Sequence, residues 1–276
     1  MRYLILGNDG QVGFELEQRL RGKGDVLGYA YPEIDYSKID FVLSLLHDNK
    51  PDFVINAAAY TAVDKAELEA DIAQAINGDA PGILAEECLK LDATFVHYST
   101  DFVFDGAKGS PYSEEDTPNP LSVYGKTKLA GDEAVLSSEG RNLIFRVSWI
   151  YGMRGQNFLL TMRRLSEERD EIRVVDDQVG CPTWCGAIAQ GTVDAIGQEA
   201  PYGLYHMTCD GVASWYDFAR EILGDTVTVK PIKTEEYPTP SARPPYSVLN
   251  CSKLRDAFNI TLPDWRDSLS QCLASG

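Results

Sequence analysis

The sequence predicts an α/β protein: a doubly wound parallel sheet, followed by a smaller, discontinuous C-terminal α/β substrate domain. Three observations predict it. Short apolar runs alternate with helical stretches from the first residue to Ser148. The apolar runs are continuous, as suits strands buried on both faces. After Ser148 that rhythm changes and ends in a proline-rich stretch.

Arg2 to Gly7 (RYLILG) reads as a buried strand stopped by glycine. Val12 to Arg21 reads as a helix with Val12, Leu16 and Leu20 on one face. Asp25–Tyr29, Asp52–Asn56, Ala93–Ser99 and Asn142–Ser148 follow as strands, with Ile39–Asn49, Val63–Gln74, Gly78–Leu91 and Leu121–Ser138 as helices between them. Beyond them come helices at Phe158–Arg169, Trp184–Gly197 and Ser214–Leu223, and strands at Arg173–Val175 and Gly203–Met207. Pro231 to Pro245 is too rich in proline for regular structure, and Asn250 to Ser275 carries one or two helices. The expected division is 1–149 plus 184–206 for the main domain, and 150–183 plus 207–276 for the smaller one.

Of the 276 residues, 44% are hydrophobic and 24% charged, with a mean hydropathy of −0.23, ordinary values for a soluble globular chain. No apolar run is long enough to span a bilayer, and the start of the chain does not read as a signal peptide, so a cytoplasmic protein is expected. Six cysteines without a CxxC pair read as buried free thiols. The chain has 42 acidic and 25 basic residues, a net charge of −17, and no basic footprint for nucleic acid.

GNDGQVG places Gly7, Gly10 and Gly13 between the first strand and the first helix. Gly7 permits the tight turn, Gly10 lets the backbone approach a pyrophosphate, and Gly13 lets helix and strand pack closely. The helix N-terminus then offers N–H donors to an anion. This is the context of a Rossmann-type dinucleotide site. After the second strand the acidic candidates for the adenosine ribose are Glu33 and Asp35, and no arginine there claims a 2′-phosphate.

Tyr124 and Lys128 stand four apart in a predicted helix and so share a face. A nearby ammonium is expected to lower the phenol's pKa, and the pair can pass a proton to a carbonyl oxygen as hydride reaches its carbon. Ser99, Thr100 and Asp101 follow at the end of the fourth strand, where open α/β sheets hold their ligands.

These motifs have an order of their own: GNDGQVG, NAAAYTAVDKAE (Asn56 to Glu67), HYSTDFVFDG (His97 to Gly106), YGKTKLAGD (Tyr124 to Asp132) and FRVSWIYG (Phe145 to Gly152). DDQVGCPT (Asp176 to Thr183), GLYH (Gly203 to His206), YPTPSARPPYSVLN (Tyr237 to Asn250) and LPDW (Leu262 to Trp265) continue it. Together they span nearly the whole chain and resemble the extended short-chain dehydrogenase/reductase superfamily, and within it the dTDP-4-dehydrorhamnose reductases.

The resemblance implies reduction of the 4-keto group of dTDP-4-dehydro-L-rhamnose by NADPH or NADH, the last step in making dTDP-L-rhamnose for cell-surface polysaccharide. It implies Tyr124 as proton donor, Lys128 as its tuner and holder of the nicotinamide ribose, and Thr100 and Asp101 against the sugar. Gly10, Gln11 and Val12 would meet the pyrophosphate, Asp35 and Tyr36 the adenosine, and Ala57, Ala58, Ala59, Tyr60 and Ser99 the rest of the cofactor. Trp149, Asn157 and Arg243 are the further substrate candidates; an arginine fork suits a diphosphate.

The chain departs from the pattern at two places. Phe102 stands where tyrosine is frequent. Some members are described as magnesium-dependent dimers bridged through glutamates; Glu15 is present, but Trp184-Cys-Gly-Ala187 supplies no second glutamate, so the expected metal set is none. A dTDP-sugar substrate, no nucleic acid, no membrane and a monomer or homodimer complete the expectation. The competing readings are another nucleotide-sugar epimerase or reductase of the superfamily, and a non-catalytic subunit like the regulatory one of methionine adenosyltransferase.

Overall fold

The computed structural model describes residues 1–199 and 201–275. Its first half alternates strand and helix: β1 (Arg2–Leu6), α1 (Gln11–Leu20), β2 (Asp25–Tyr29), α2 (Ile39–Asn49) and β3 (Phe53–Asn56). A helical stretch follows as α3 (Val63–Ala66), α4 (Ala70–Ala73), a π-helical turn at Gln74–Asp79 and α5 (Ala80–Lys90). Then come β4 (Thr94–Thr100), α6 (Val123–Ser137) and β5 (Arg141–Val147).

The second half runs β6 (Ile150–Tyr151), α7 (Phe158–Glu168), β7 (Glu171–Val175), β8 (Val179–Gly180), β9 (Thr183–Trp184) and α8 (Cys185–Ile196). It ends with β10 (Gly203–His206), β11 (Ala213–Ser214), α9 (Trp215–Leu223), β12 (Thr228–Ile232), α10 (Ser252–Phe258) and α11 (Trp265–Ala274).

Six strands form one parallel sheet in the order β2-β1-β3-β4-β5-β10. Side chains alternate across it. In β1, Tyr3 and Ile5 join the core under α1 and α8, whereas Leu4 and Leu6 join the core under α2 and α5. Both faces are therefore covered, which is why β1 reads as an uninterrupted apolar run. The chain leaves β1 for β2 on one side and returns to β3 on the other, so a switch point lies between the carboxyl ends of β1 and β3.

The last segments build a separate small core of Met162, Ile172, Val174, Ala219, Leu223 and Val227 beneath a two-stranded parallel sheet of β7 and β12. Here the structure corrects the sequence reading. Thr228–Ile232 is a strand although it contains Pro231. Proline is tolerated because β12 has only one neighbour, β7. The helix expected over 63–74 is instead two short pieces broken at 67–69, where Leu68 is 90% exposed and gives no apolar anchor. Conversely, the gap expected before residue 78 is helical throughout, with Pro81 seated in the first turn of α5. All six cysteines are free, and only Cys251 is not fully buried. Among the described residues no helix is long and apolar enough to cross a membrane.

Candidate active site

Gly7 has φ +84°, a left-handed conformation that a side chain would strain, and its absent Cβ would stand 2.8 Å from the Ala58 nitrogen. A Cβ on Gly13 would collide with the Gly7 carbonyl. The turn therefore closes tightly, Gly10 N donating to Gly7 O at 3.1 Å, and α1 begins at Gln11 with no acidic residue in its first turn. Its free N–H groups and dipole suit an anion.

In front of them lies a cavity of about 900 Å³, walled by Gly7, Gly10, Gln11, Val12, Asp35, Tyr36, Ala57, Ala58 and Ala59. Nine expected cofactor residues thus come together around one space at the switch point. Ile150, Gly155 and Gln156 close it from the other lobe. The size, the glycine cradle and the small alanines fit a dinucleotide. Lys38, at 3.4 Å from the Asp35 carboxylate, adds a cation beside the expected adenosine end that the sequence reading passed over.

Two expected cofactor residues face elsewhere. The Tyr60 hydroxyl bonds Glu69, while its backbone is held by Asn77, whose Oδ1 accepts from Tyr60 N at 2.9 Å. Ser99 is buried beside the Asp132 carboxyl, whose pKa it helps to hold down.

The proton-transfer candidates gather at the carboxyl end of β4, next to β3. The N-terminus of α6 is fixed by Ser122, whose Oγ accepts from Gly125 N at 3.0 Å, and by Glu67, whose carboxylate accepts from Val123 N at 3.0 Å. Tyr124 lies one residue into that first turn. Its ring meets Phe102 edge-on at 5.8 Å, and the Thr100 hydroxyl stands beside its phenol and lowers its pKa. Thr100 also donates to Asp101 Oδ1 at 3.1 Å.

The expectation that Lys128 lowers the Tyr124 pKa is not met here. The ammonium donates to the Tyr98 carbonyl at 2.6 Å and lies 3.2 Å from His97 Nε2. Burial, with the charges of Asp101 and Asp132, pushes the phenol up to about 12, against a smaller lowering by Thr100. Burial also draws Lys128 down to about 8 and pushes Asp101 up to about 6. Ser247, Thr100 and Ser148 moderate the Asp101 shift, although Ser148 Oγ and Asp101 Oδ2 make no hydrogen bond of ordinary geometry.

The substrate candidates border the other lobe. Trp149 holds a left-handed φ of +46°, rare for so large a side chain, and stacks on Trp215 with centroids 3.4 Å apart. Asn157 caps α7 and donates to Gln11 Oε1 at 2.9 Å, joining the lobe to the glycine loop. Arg243 pairs with Asp64 at 3.0 Å and lies 5.7 Å over the Phe102 ring, its Nη1 buried without a partner. Glu15 pairs with Arg19. Among the described residues no group of His, Cys, Asp or Glu is placed to hold a metal ion.

The six-stranded sheet, the glycine cradle at its switch point and the tyrosine–lysine helix define a nicotinamide-dependent oxidoreductase of the short-chain dehydrogenase/reductase class. The chain belongs to the family described as the RmlD substrate binding domain, whose model matches residues 1–276. It is 42% identical over 292 residues to a dTDP-4-dehydrorhamnose reductase of Burkholderia thailandensis, covering 99% of this chain and 98% of the relative. It is similar to the solved dTDP-4-dehydrorhamnose reductase of Clostridium acetobutylicum, with TM-score 0.94 and 41% identity, covering 100% of this chain and 99% of the other. The Bacillus anthracis dTDP-4-dehydrorhamnose reductase, solved in complex with NADP, gives TM-score 0.95 and 35% identity over 100% and 99% of the two chains.

Proposed function

We propose that this chain reduces the 4-keto group of dTDP-4-dehydro-L-rhamnose to give dTDP-L-rhamnose, with NADPH or NADH as reductant. The observation that carries the reading is the Thr100–Tyr124 hydroxyl pair at the carboxyl end of β4, one strand from the dinucleotide-sized cavity. Full-length similarity to reductases of that name supports it.

In this reading Gly7, Gly10, Gln11, Val12 and Gly13 cradle the pyrophosphate, Asp35 and Tyr36 border the adenosine, and Ala57, Ala58 and Ala59 allow close approach. A reduced nicotinamide held there would supply the hydride for the substrate's C4. Tyr124 gives its phenolic proton to the carbonyl oxygen, and a phenol near 12 is fully protonated at neutral pH, as a donor must be. Thr100 directs that hydroxyl and, with Asp101, meets the sugar. Lys128 holds the cofactor ribose. Residues 150–183 and 207–276 hold the sugar nucleotide, with Trp149 and Asn157 at the seam and Arg243 on the diphosphate. A cytoplasmic setting suits the pools of cofactor and sugar nucleotide it draws on.

The test mixes the protein with NADPH and the 4-keto sugar nucleotide and follows reduced-nicotinamide absorbance, with the product identified by NMR. Oxidation of one cofactor per sugar reduced supports the reading. Epimerised sugar with no net oxidation, or no turnover at all, contradicts it.

A further inference from the structure

Behind the cavity runs a row of buried polar side chains. The Tyr36 hydroxyl lies 2.7 Å from Asn56 Oδ1, Asn56 Nδ2 lies 3.2 Å from His97 Nδ1, and His97 Nε2 lies 3.2 Å from Lys128 Nζ. Tyr36 forms part of the cavity wall, and Asn56, His97 and Lys128 are each 2% exposed or less. The four come from four different elements. Asn56 and His97 meet because β3 and β4 pair them directly in register.

The direction of each bond is constrained by donor and acceptor chemistry. An ammonium only donates. Beside a charged Lys128, His97 Nε2 must carry the lone pair and Nδ1 the single imidazole proton. That N–H needs the Asn56 carbonyl, which turns the amide NH₂ toward the Tyr36 oxygen and leaves the tyrosine's own hydrogen free for the cavity. A neutral Lys128 amine gains a lone pair, which lets every bond reverse: Nε2–H donates to the amine, Nδ1 accepts from Asn56 Nδ2, and the Tyr36 O–H donates to Asn56 Oδ1, the arrangement the heavy-atom pairing of the structure matches. The two states differ by one proton, lost from Lys128. The imidazole keeps one proton in both, and the amide makes a half-turn.

We propose that Tyr36, Asn56 and His97 are a positioning relay for Lys128, which couples the charge on that amine to the direction of the Tyr36 O–H at the cavity wall. The proposal rests on the role of Lys128 given above. Burial and the Lys128 charge hold the His97 pKa well below its usual value, so the ring stays neutral. Burial brings Lys128 to about 8, so both states are reachable near neutral pH. The other charged or titratable groups around the row are Asp132 on α6, its partner Arg146 on β5 at 2.9 Å, Asp101 after β4, Tyr124 on α6, and His206 on β10 beside Arg146.

The chain has three histidines, so nitrogen-15 NMR of the histidine-labelled, cofactor-free protein resolves the ring directly. Between about pH 6 and 9, His97 should remain neutral and pass from the Nδ1–H to the Nε2–H tautomer, with a midpoint near 8. Lys128→Met should abolish that transition. One tautomer throughout, or an unchanged transition in Lys128→Met, overturns the relay. In the pH profile of turnover, His97→Leu should move the alkaline limb down by about one pH unit, and His97→Gln, which keeps an acceptor, should bring it most of the way back. Identical profiles for the two variants contradict the proposal. Full turnover by Lys128→Met, with the tautomer transition lost, would instead sink the assigned role of Lys128 and leave the relay standing.

Discussion

Tyr124 is under opposing influences: burial and the carboxyl groups of Asp101 and Asp132 hold its proton on, and the Thr100 hydroxyl eases it off. The balance gives a protonated phenol at neutral pH, which suits reduction. Lys128 stands apart from that balance, its ammonium donating to the Tyr98 carbonyl, and in the proposed reaction it serves the cofactor ribose. Lys128→Met should therefore lower turnover about a hundredfold or more and also weaken NADPH binding, as measured by steady-state rates and a fluorescence titration. Asp101 makes a second prediction. Its pKa is raised to about 6, so between pH 4 and 6 the unfolded chain loses this proton while the folded one keeps it. Stability then falls as pH rises through that window, by on the order of 3 kcal/mol. Asp101→Asn should flatten this part of the stability curve in urea melts at pH 4 and pH 7. The tyrosine–lysine pair was legible because spacing of four along a helix is a local signal. Asn56 and His97 were not, because only sheet register brings residues 41 apart into contact.

At the scale of elements, the glycine loop is the part most fully written in the sequence. Its three glycines are set by the approach of α1 to β1 and of the Gly7 turn to Ala58, and these contacts lie within a short stretch or directly across the neighbouring strand. Gly13→Ala should cost about 1–3 kcal/mol, because a methyl group must displace the Gly7 carbonyl, and it should weaken cofactor binding in parallel. Thermal melts with and without NADPH would show both losses. The misread elements have physical causes. The 63–74 stretch carries Leu68 and Ile72 at helical spacing, but both are exposed in the fold, so periodicity promised a face that nothing covers. Pro231 argued against a strand, yet β12 has a free edge to carry it.

Across the whole molecule, the sheet and the later segments share one apolar core, in which Tyr151, Leu159, Phe218 and Trp265 join Ile5 and Leu16, and their seam also carries the contacts of Asn157 with Gln11, Arg243 with Asp64, and the Trp149–Trp215 stack. The net charge of −17 means that an anionic ligand is held by local donors and not by the overall field. Arg243, with one buried guanidinium nitrogen unpartnered, is a cation of that seam with a donor to spare. Arg243→Ala should raise KM for the sugar nucleotide about ten- to a hundredfold, a charge-assisted hydrogen bond being worth about 1.5–3 kcal/mol, with NADPH affinity little changed. The sequence carried the double winding through its strand–helix alternation up to Ser148. The seam contacts were invisible to it, since they join residues as far apart as 64 and 243.

The proposed reaction turns on one phenolic hydrogen. Tyr124→Phe removes it and leaves the ring against Phe102. Single-turnover rates and NADPH dissociation constants of this variant and the parent, taken side by side, are the most direct measurement. The account predicts a fall in rate of about a hundredfold or more with cofactor affinity kept within about twofold. A variant that reduces the keto sugar at the parent rate would contradict it.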